Sequence, residues 1–95
     1  MQLRLMTYKV QKVEEERVVV LKLSGRIQKE NVADLSRLCE AIEGSRELVL
    51  DLEEVKLVDQ DVVLFLERCE GHGARLQNCP PYIRHWIAQQ QERPN

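Results

Sequence analysis

Several features that would place a protein in or across a membrane are missing from this chain of 95 residues. No apolar run approaches the roughly 18 residues that a membrane span requires. The first ten residues, MQLRLMTYKV, lack the long apolar core of a signal peptide. We therefore expect a cytoplasmic protein with no direct membrane insertion.

An excess of positive charge is also missing. The 14 basic and 16 acidic side chains give a net charge of −2. Nucleic acids and anionic membranes are bound mainly by basic surfaces. The composition therefore predicts no nucleic-acid partner.

Cysteines are few and widely separated, at Cys39, Cys69 and Cys79. Their odd number and spacing suggest neither a disulfide framework nor a zinc site, so we predict reduced thiols that pack as small hydrophobic groups. No nucleophile stands beside a base in a recognisable pattern, and no glycine-rich phosphate loop is present. The sequence predicts no enzyme activity, no cofactor and no bound metal.

The hydrophobic pattern predicts an α/β fold in one domain over residues 1–95, with the tail frayed from about residue 89. Leu48 to Leu52 alternates as a strand does, and Val49 on its second face suggests that both faces are partly covered. The predicted elements are an edge strand within 3–13, a strand over 17–24 ended by Gly25, a helix from the N-cap Asn31 to Gly44, a strand over 48–52 with an acidic turn over 53–58, a helix from the N-cap Asp59 to Gly71, a strand over 74–77, and a helix beginning within 78–81.

Several short motifs follow one another in order: VVVLKLSG over 18–25, the strand residue Asp51, the turn residue Val55, the apolar pair Leu57-Val58, and Asp59. In this order they resemble the STAS domains of anti-sigma factor antagonists and sulfate transporters. The later GHGARLQNCPPYIRHWI is similar to the family's glycine, strand and last helix. The resemblance spans about Arg17 to Ile87 and implies a mixed sheet of about four strands with about three helices packed on it.

The resemblance breaks down at the start of the second helix. Where the family has Asp-Ser-Ser-Gly, this chain has Asp59-Gln60-Asp61-Val62. The serine that partner kinases phosphorylate corresponds to Asp61, and neither Gln60 nor Asp61 has a hydroxyl. Asp61 is either a fixed imitation of phosphoserine, which carries a charge of about −1.5 to −2, or simply a favourable residue for a first helical turn.

The family implies a regulatory module that binds a protein partner in bacterial signalling and transcription regulation. The implied partner is an anti-sigma factor of the serine kinase type or a related regulator, and the implied docking residues are Asp59, Gln60, Asp61 and Val62. The alternative is a STAS accessory subunit of a membrane transport complex, such as a lipid-transport ABC system. The missing serine is compatible with both functions.

Two further alternatives concern single motifs. Asp59-x-Asp61-x-Val63 also fits the nucleophile motif of the haloacid dehalogenase phosphatases, but the chain is too short for that fold. Tyr82 and Trp86 lie four residues apart on one helical face. They are either part of the core, or of a lid over the sheet edge, or anchors for a partner.

The missing hydroxyls lead to a first prediction. Anti-sigma kinases should not phosphorylate the peptide from Leu57 to Leu66, because it contains no Ser, Thr or Tyr. Incubation with kinase and ATP, followed by peptide mass spectrometry, tests this expectation. The variant Asp61→Ser restores the hydroxyl and serves as the matched positive control. Phosphate on this peptide of the unaltered chain would contradict the prediction.

Overall fold

The computed structural model describes residues 7–42 and 46–92, and these residues form four strands and three helices. The elements are β1 (Lys9–Glu14), β2 (Val18–Ile27), α1 (Lys29–Glu40), β3 (Glu47–Val58), α2 (Gln60–Gly71), β4 (Arg75–Gln77) and α3 (Pro81–Gln91). The sheet order is β1-β2-β3-β4, with β1 antiparallel to β2 and the other neighbours parallel. The predicted α/β class, with a mixed sheet and three helices, is confirmed.

One cluster of buried side chains joins the sheet to all three helices. Alternate residues of β2, such as Leu21 and Leu23, meet Leu35 of α1, Phe65 of α2 and Ile83 of α3 in this cluster. Because alternate strand residues share one face, the described helices all lie on the same face of the sheet.

The prediction that both faces of the sheet are at least partly covered agrees with the burial of Val49, although the cover on its face is not a helix. Val49 points to the face opposite the helices and is only 4% exposed. It lies in register with Val20 and Arg75. Directly opposed residues of neighbouring strands have adjacent side chains. Neighbouring strand residues therefore shield Val49, and no described helix does.

Strand β3 is longer than predicted. The sequence suggested a strand ending at Leu52 and an acidic turn over 53–58, but the strand continues to Val58. It contains two register irregularities against β2, at each of which β3 has one more residue than β2. A bulge leaves backbone groups without a partner in the adjacent strand. Acidic residues at such an irregularity therefore resemble a turn in the sequence although they lie in a strand.

Side chains take up backbone groups at both irregularities. At the first, Asp51 Oδ1 accepts a hydrogen bond of 3.1 Å from the Glu53 backbone N–H and another of 3.1 Å from Asn78 Nδ2. At the second, the Tyr82 hydroxyl donates a 3.1 Å hydrogen bond to the Lys56 carbonyl. The two hydrogen bonds accepted by Asp51 explain why this acid is tolerated at 6% exposure.

The sequence predicted that Gly25 ends the second strand. In the structure, β2 runs through Gly25 to Ile27. Its φ angle is +85°, which favours glycine. A Cβ atom at this position would also lie 1.9 Å from the Thr7 carbonyl oxygen. Gly25 is therefore needed for a close approach between two backbone segments.

Helix α1 begins earlier than predicted, with Gln28 and not Asn31 as its N-cap. The Asn31 side-chain oxygen instead accepts a 2.8 Å hydrogen bond from the Gln28 backbone N–H. The helix ends at Glu40, and Gly44, the predicted end, lies outside the described residues, as do 3–6 of the predicted first strand.

The other two helices begin where the sequence predicted. Asp59 is the N-cap of α2, which includes Gly71, and α3 begins at Pro81. Helix α3 extends to Gln91, past the predicted onset of fraying, and 93–95 of that tail lie outside the described residues. None of the helices in the described part of the chain has the length and apolar character needed to span a membrane.

The packing of α2 predicts a large loss of stability on truncation. Phe65 is 4% and Leu66 1% exposed, so replacing either with Ala should lower the free energy of unfolding by about 2–5 kcal/mol. Leu64, half-buried on the same helix, is the matched control and should lose less when changed to Ala. Urea unfolding measures all three. A loss below about 1 kcal/mol at both buried positions would mean that this helix face is not packed on the sheet.

Candidate functional site

The Asp59 carboxylate connects the N-termini of two helices. Its Oδ1 atom accepts a 3.1 Å hydrogen bond from the Val62 backbone N–H in the first turn of α2. Its Oδ2 atom accepts a 2.8 Å hydrogen bond from the Lys29 backbone N–H, the first residue of α1. One side chain therefore fixes the starts of both helices relative to each other.

This contact also has an electrostatic basis. The N-terminus of a helix has backbone N–H groups without helical partners and a partial positive charge. Two such ends side by side form a place that favours an anion. Because Asp59 supplies that anion from within the chain, its carboxylate belongs to the framework of the site.

The remaining predicted docking residues have different surroundings. Gln60 and Asp61 are exposed in the first turn of α2. Val62 is fully buried in the core cluster. Of the four predicted residues, only Gln60 and Asp61 are therefore exposed; Asp59 supports them, and the side chain of Val62 is unavailable to a partner.

Two large apolar side chains lie near this turn. Leu57, at the end of β3, is 46% exposed, and Tyr82, in the first turn of α3, is 45% exposed. The Tyr82 hydroxyl is bonded to the Lys56 carbonyl, next to Leu57, and burial raises the pKa of this hydroxyl. Tyr82 thus covers the end of β3 while leaving much of its ring open. Trp86, by contrast, is half-buried against the core.

We define the cap surface as Gln28, Leu57, Gln60, Asp61 and Tyr82. A shallow groove of about 330 Å³ runs beside it. The groove is lined by Arg26, Ile27, Gln28, Leu57, Val58 and Asp59. The ends of β2 and β3 and the starts of α1 and α2 thus meet at one surface with apolar, acidic and basic groups.

Sequence reasoning missed the contribution of α1 to this site. It placed the start of that helix at Asn31, which hid the position of Lys29 beside Asp59. The Asn31 side chain accepts a hydrogen bond from the backbone of Gln28, three residues earlier. This three-residue spacing of polar side chains is a local signal that could have located the true start of the helix. The exposure of Leu57 had no such signal, because the apolar pair Leu57-Val58 reads as a buried segment.

Elsewhere, the described residues contain no group of three His, Cys, Asp or Glu side chains able to hold a metal ion. His72 lies 2.8 Å, through Nδ1, from the Arg68 carbonyl oxygen at the end of α2. His85 is exposed on α3. Neither histidine is part of the cap surface.

No protein-family model and no curated protein matches the chain. A structural match is the crystal structure of an antisigma-factor antagonist, a STAS domain from Rhodobacter sphaeroides. The TM-score is 0.52 at 17% sequence identity, and the match covers 78% of this chain and 87% of that chain. The chain therefore has the fold of a STAS domain, as its motifs had predicted.

The double contact of Asp59 predicts graded losses of stability. Asp59→Ala removes both acceptors and should lower the free energy of unfolding by about 1–3 kcal/mol. Asp59→Asn keeps one side-chain oxygen and presents an N–H₂ donor to the second N–H group, so its loss should lie between that of Ala and zero. Chemical unfolding measures both.

The matched control is Asp61→Ala, an acidic residue of the same helical turn that is exposed. It should cost at most a few tenths of a kcal/mol. Equal losses for Asp59→Ala and Asp61→Ala would contradict a special role for the Asp59 carboxylate.

Proposed function

We propose that this chain, which has the fold of a STAS domain, is a non-enzymatic regulatory module that binds a protein partner through the cap surface. The partner we propose is an anti-sigma factor of the serine kinase type. The observation that carries the proposal is an exposed carboxylate, Asp61, four residues along the chain from the exposed Leu57, whose strand end is contacted by the half-exposed Tyr82. The structural similarity to a protein described as an antisigma-factor antagonist supports it.

The make-up of the cap surface suits protein recognition. Buried apolar and aromatic anchors contribute most of the binding free energy at interfaces, while charges at the rim select the partner and speed its association. Leu57 and Tyr82 provide the anchors, and Asp61 provides the charge. Because Asp59 holds both helix starts in place, little conformational freedom is lost when a partner binds.

Asp61 gives this module a fixed charge where the related antagonists carry a serine that can be phosphorylated. Helix N-termini accept negative charge readily. The charge of Asp61 is permanent, and it is smaller than that of a phosphate. We therefore propose that partner binding at this surface is set by the sequence and is not switched by phosphorylation of the first turn of α2.

The test begins with the tagged chain and an extract of its source organism. Mass spectrometry of the captured proteins should identify a kinase-type anti-sigma factor. A membrane permease in its place would overturn this partner and favour the accessory subunit of a transport complex. Calorimetric titration of the purified partner then gives the affinity that the variants below are compared with.

Changing the charge of Asp61 should alter affinity much more than stability. Asp61→Lys should weaken or strengthen binding at least about 10-fold, while an exposed substitution changes the free energy of unfolding by only about 0.5 to 1 kcal/mol. If Asp61 imitates a phosphate that weakens docking, Asp61→Asn and Asp61→Ser should tighten binding. If its carboxylate contacts the partner, both should weaken it.

The matched control is Glu16→Gln, which removes an exposed acid from the turn between β1 and β2, at the other end of the sheet. It should leave affinity unchanged. Unchanged affinity in all three Asp61 variants would place the binding surface elsewhere on the domain.

A further inference from the structure

The outer edge of β1 has no neighbouring strand in the described part of the chain. β1 is the first strand in the order β1-β2-β3-β4, and it pairs on one side only, with β2. Five of its six residues are exposed. An exposed strand edge offers unpaired backbone N–H and C=O groups to which another strand can pair. This edge is therefore a candidate interaction surface, separate from the cap surface.

The hydrogen bonds of the hairpin between β1 and β2 show which backbone groups point outward. The Glu15 N–H donates a 2.8 Å hydrogen bond to the Val18 carbonyl at the turn. Hydrogen-bonded and non-hydrogen-bonded pairs alternate along an antiparallel ladder. In the observed register, the odd-numbered residues of β1 therefore bond to β2. The N–H and C=O groups of Val10, Lys12 and Glu14 point away from β2, at the spacing that a further strand requires.

The exposure of Val13 reflects the same missing neighbour. Val13 is in register with Val20, and Val20 is in register with Val49, so the three valines form a row on the face of the sheet opposite the helices. Val49 is 4% exposed, Val20 is half-buried and Val13 is 37% exposed. Exposure thus rises along the row toward the free edge. A strand beyond β1 would shield Val13 as the neighbouring strands shield Val49.

The charges along β1 indicate which strand fits its edge. Lys9 is the first residue of the strand, and Glu15 and Glu16 follow its last residue. Lys12 and Glu14, which lie between them, form an ion pair of 3.2 Å. The strand is thus basic at one end and acidic at the other. Antiparallel pairing of two copies brings each basic end beside an acidic end, and cross-strand neighbours of opposite charge attract each other.

We propose that a second copy of this chain pairs antiparallel with the free edge of β1, which joins the two four-stranded sheets into one. In the two-fold registers centred on Gln11, Lys12 or Val13, Lys9 lies directly or diagonally opposite Glu15 of the second copy. Lysine on an edge strand usually prevents pairing with other chains. Here the second copy supplies the opposite charge, so the edge accepts a second copy and repels a basic strand.

This dimer leaves both cap surfaces free. The cap surface lies where β2 and β3 end, while the turn over 15–17 lies where β2 begins. Because the paired β1 strands are antiparallel, the two cap surfaces lie at opposite ends of the joined sheet. An edge of six residues buries less area than the about 1,200–2,000 Å² of a standard interface, so we expect a weak dimer that forms as concentration rises.

Sedimentation equilibrium of the full chain, at concentrations up to about 1 mM, measures this association. We expect an equilibrium between monomer and dimer. A chain that remains monomeric over the whole range, or that forms larger assemblies without a dimer, would overturn the proposal.

A proline variant locates the interface. Lys12→Pro removes an outward N–H group and leaves the ladder to β2 intact, and edge strands tolerate proline where the N–H faces solvent. The variant should be monomeric with an unchanged circular dichroism spectrum. Lys12→Ala, which loses the side chain but keeps the N–H group, is the matched control and should still dimerise. A folded Lys12→Pro chain that dimerises as the unaltered chain does would exclude β1 as the interface.

Two charge variants test the pairing without a change in the backbone. Lys9→Glu makes both ends of β1 acidic and Glu15→Lys makes both ends basic, so each variant alone should self-associate about 10-fold more weakly. An equimolar mixture of the two restores opposite charges at both contacts and should dimerise as the unaltered chain does. Lys56→Glu, the same change at an exposed residue of β3, is the matched control and should not alter the dimer. Single variants of full affinity, or a mixture that stays as weak as its components, would contradict the antiparallel pairing.

Discussion

The structure depends on one carboxylate shared by two helices. Strands β2 and β3 are parallel neighbours, and a single residue connects each to its helix, Gln28 before α1 and Asp59 before α2. Such short connections leave the helix starts side by side, with their unpaired N–H groups and partial positive charges together. Asp59 satisfies one N–H group of each helix and balances both charges. Without an anion at this point, the close approach of the two helix ends would be unfavourable.

The irregularities of β3 make this contact possible. Residues of β2 pair with residues 29 positions later at the start of the strand, as in Val18 with Glu47, but 31 positions later at its end, as in Ile27 with Val58. These two additional residues shift the pairing of the two strands. As a result, Val58 lies opposite Ile27, and Asp59 lies beside the start of α1. The hydrogen bonds that Asp51 accepts and Tyr82 donates at the irregularities therefore stabilise the strand geometry on which the cap surface depends.

Local patterns predicted much of this fold but not the features that place the site. Asp59 was predictable as an N-cap because its bond to Val62 spans only three residues. Its bond to Lys29 spans 30 residues and depends on the register of two strands, which no local pattern encodes. Likewise, the acidic pair Glu53-Glu54 suggests a turn in the sequence. The Asp51 side chain that accepts from the Glu53 N–H also accepts from Asn78, which lies 27 residues away, and no local pattern predicts that contact. Gly25 was wrongly predicted to end a strand for the same reason. A glycine is required there because the backbone at Thr7 leaves no room for a side chain, and the local sequence does not show that contact.

The arrangement separates the roles of two neighbouring acids. The Asp59 carboxylate already interacts with the partial positive charge at the N-terminus of α2. A second negative charge from Asp61 should therefore stabilise the helix by the low end of about 0.3–1 kcal/mol. This weakens the interpretation of Asp61 as only a favourable first-turn residue. Its side chain is exposed, four residues along the chain from the exposed Leu57, so it can change what the surface attracts without disturbing the helix starts that Asp59 holds. The proposed contact of Asp61 with a partner is therefore compatible with a fold that depends little on this carboxylate.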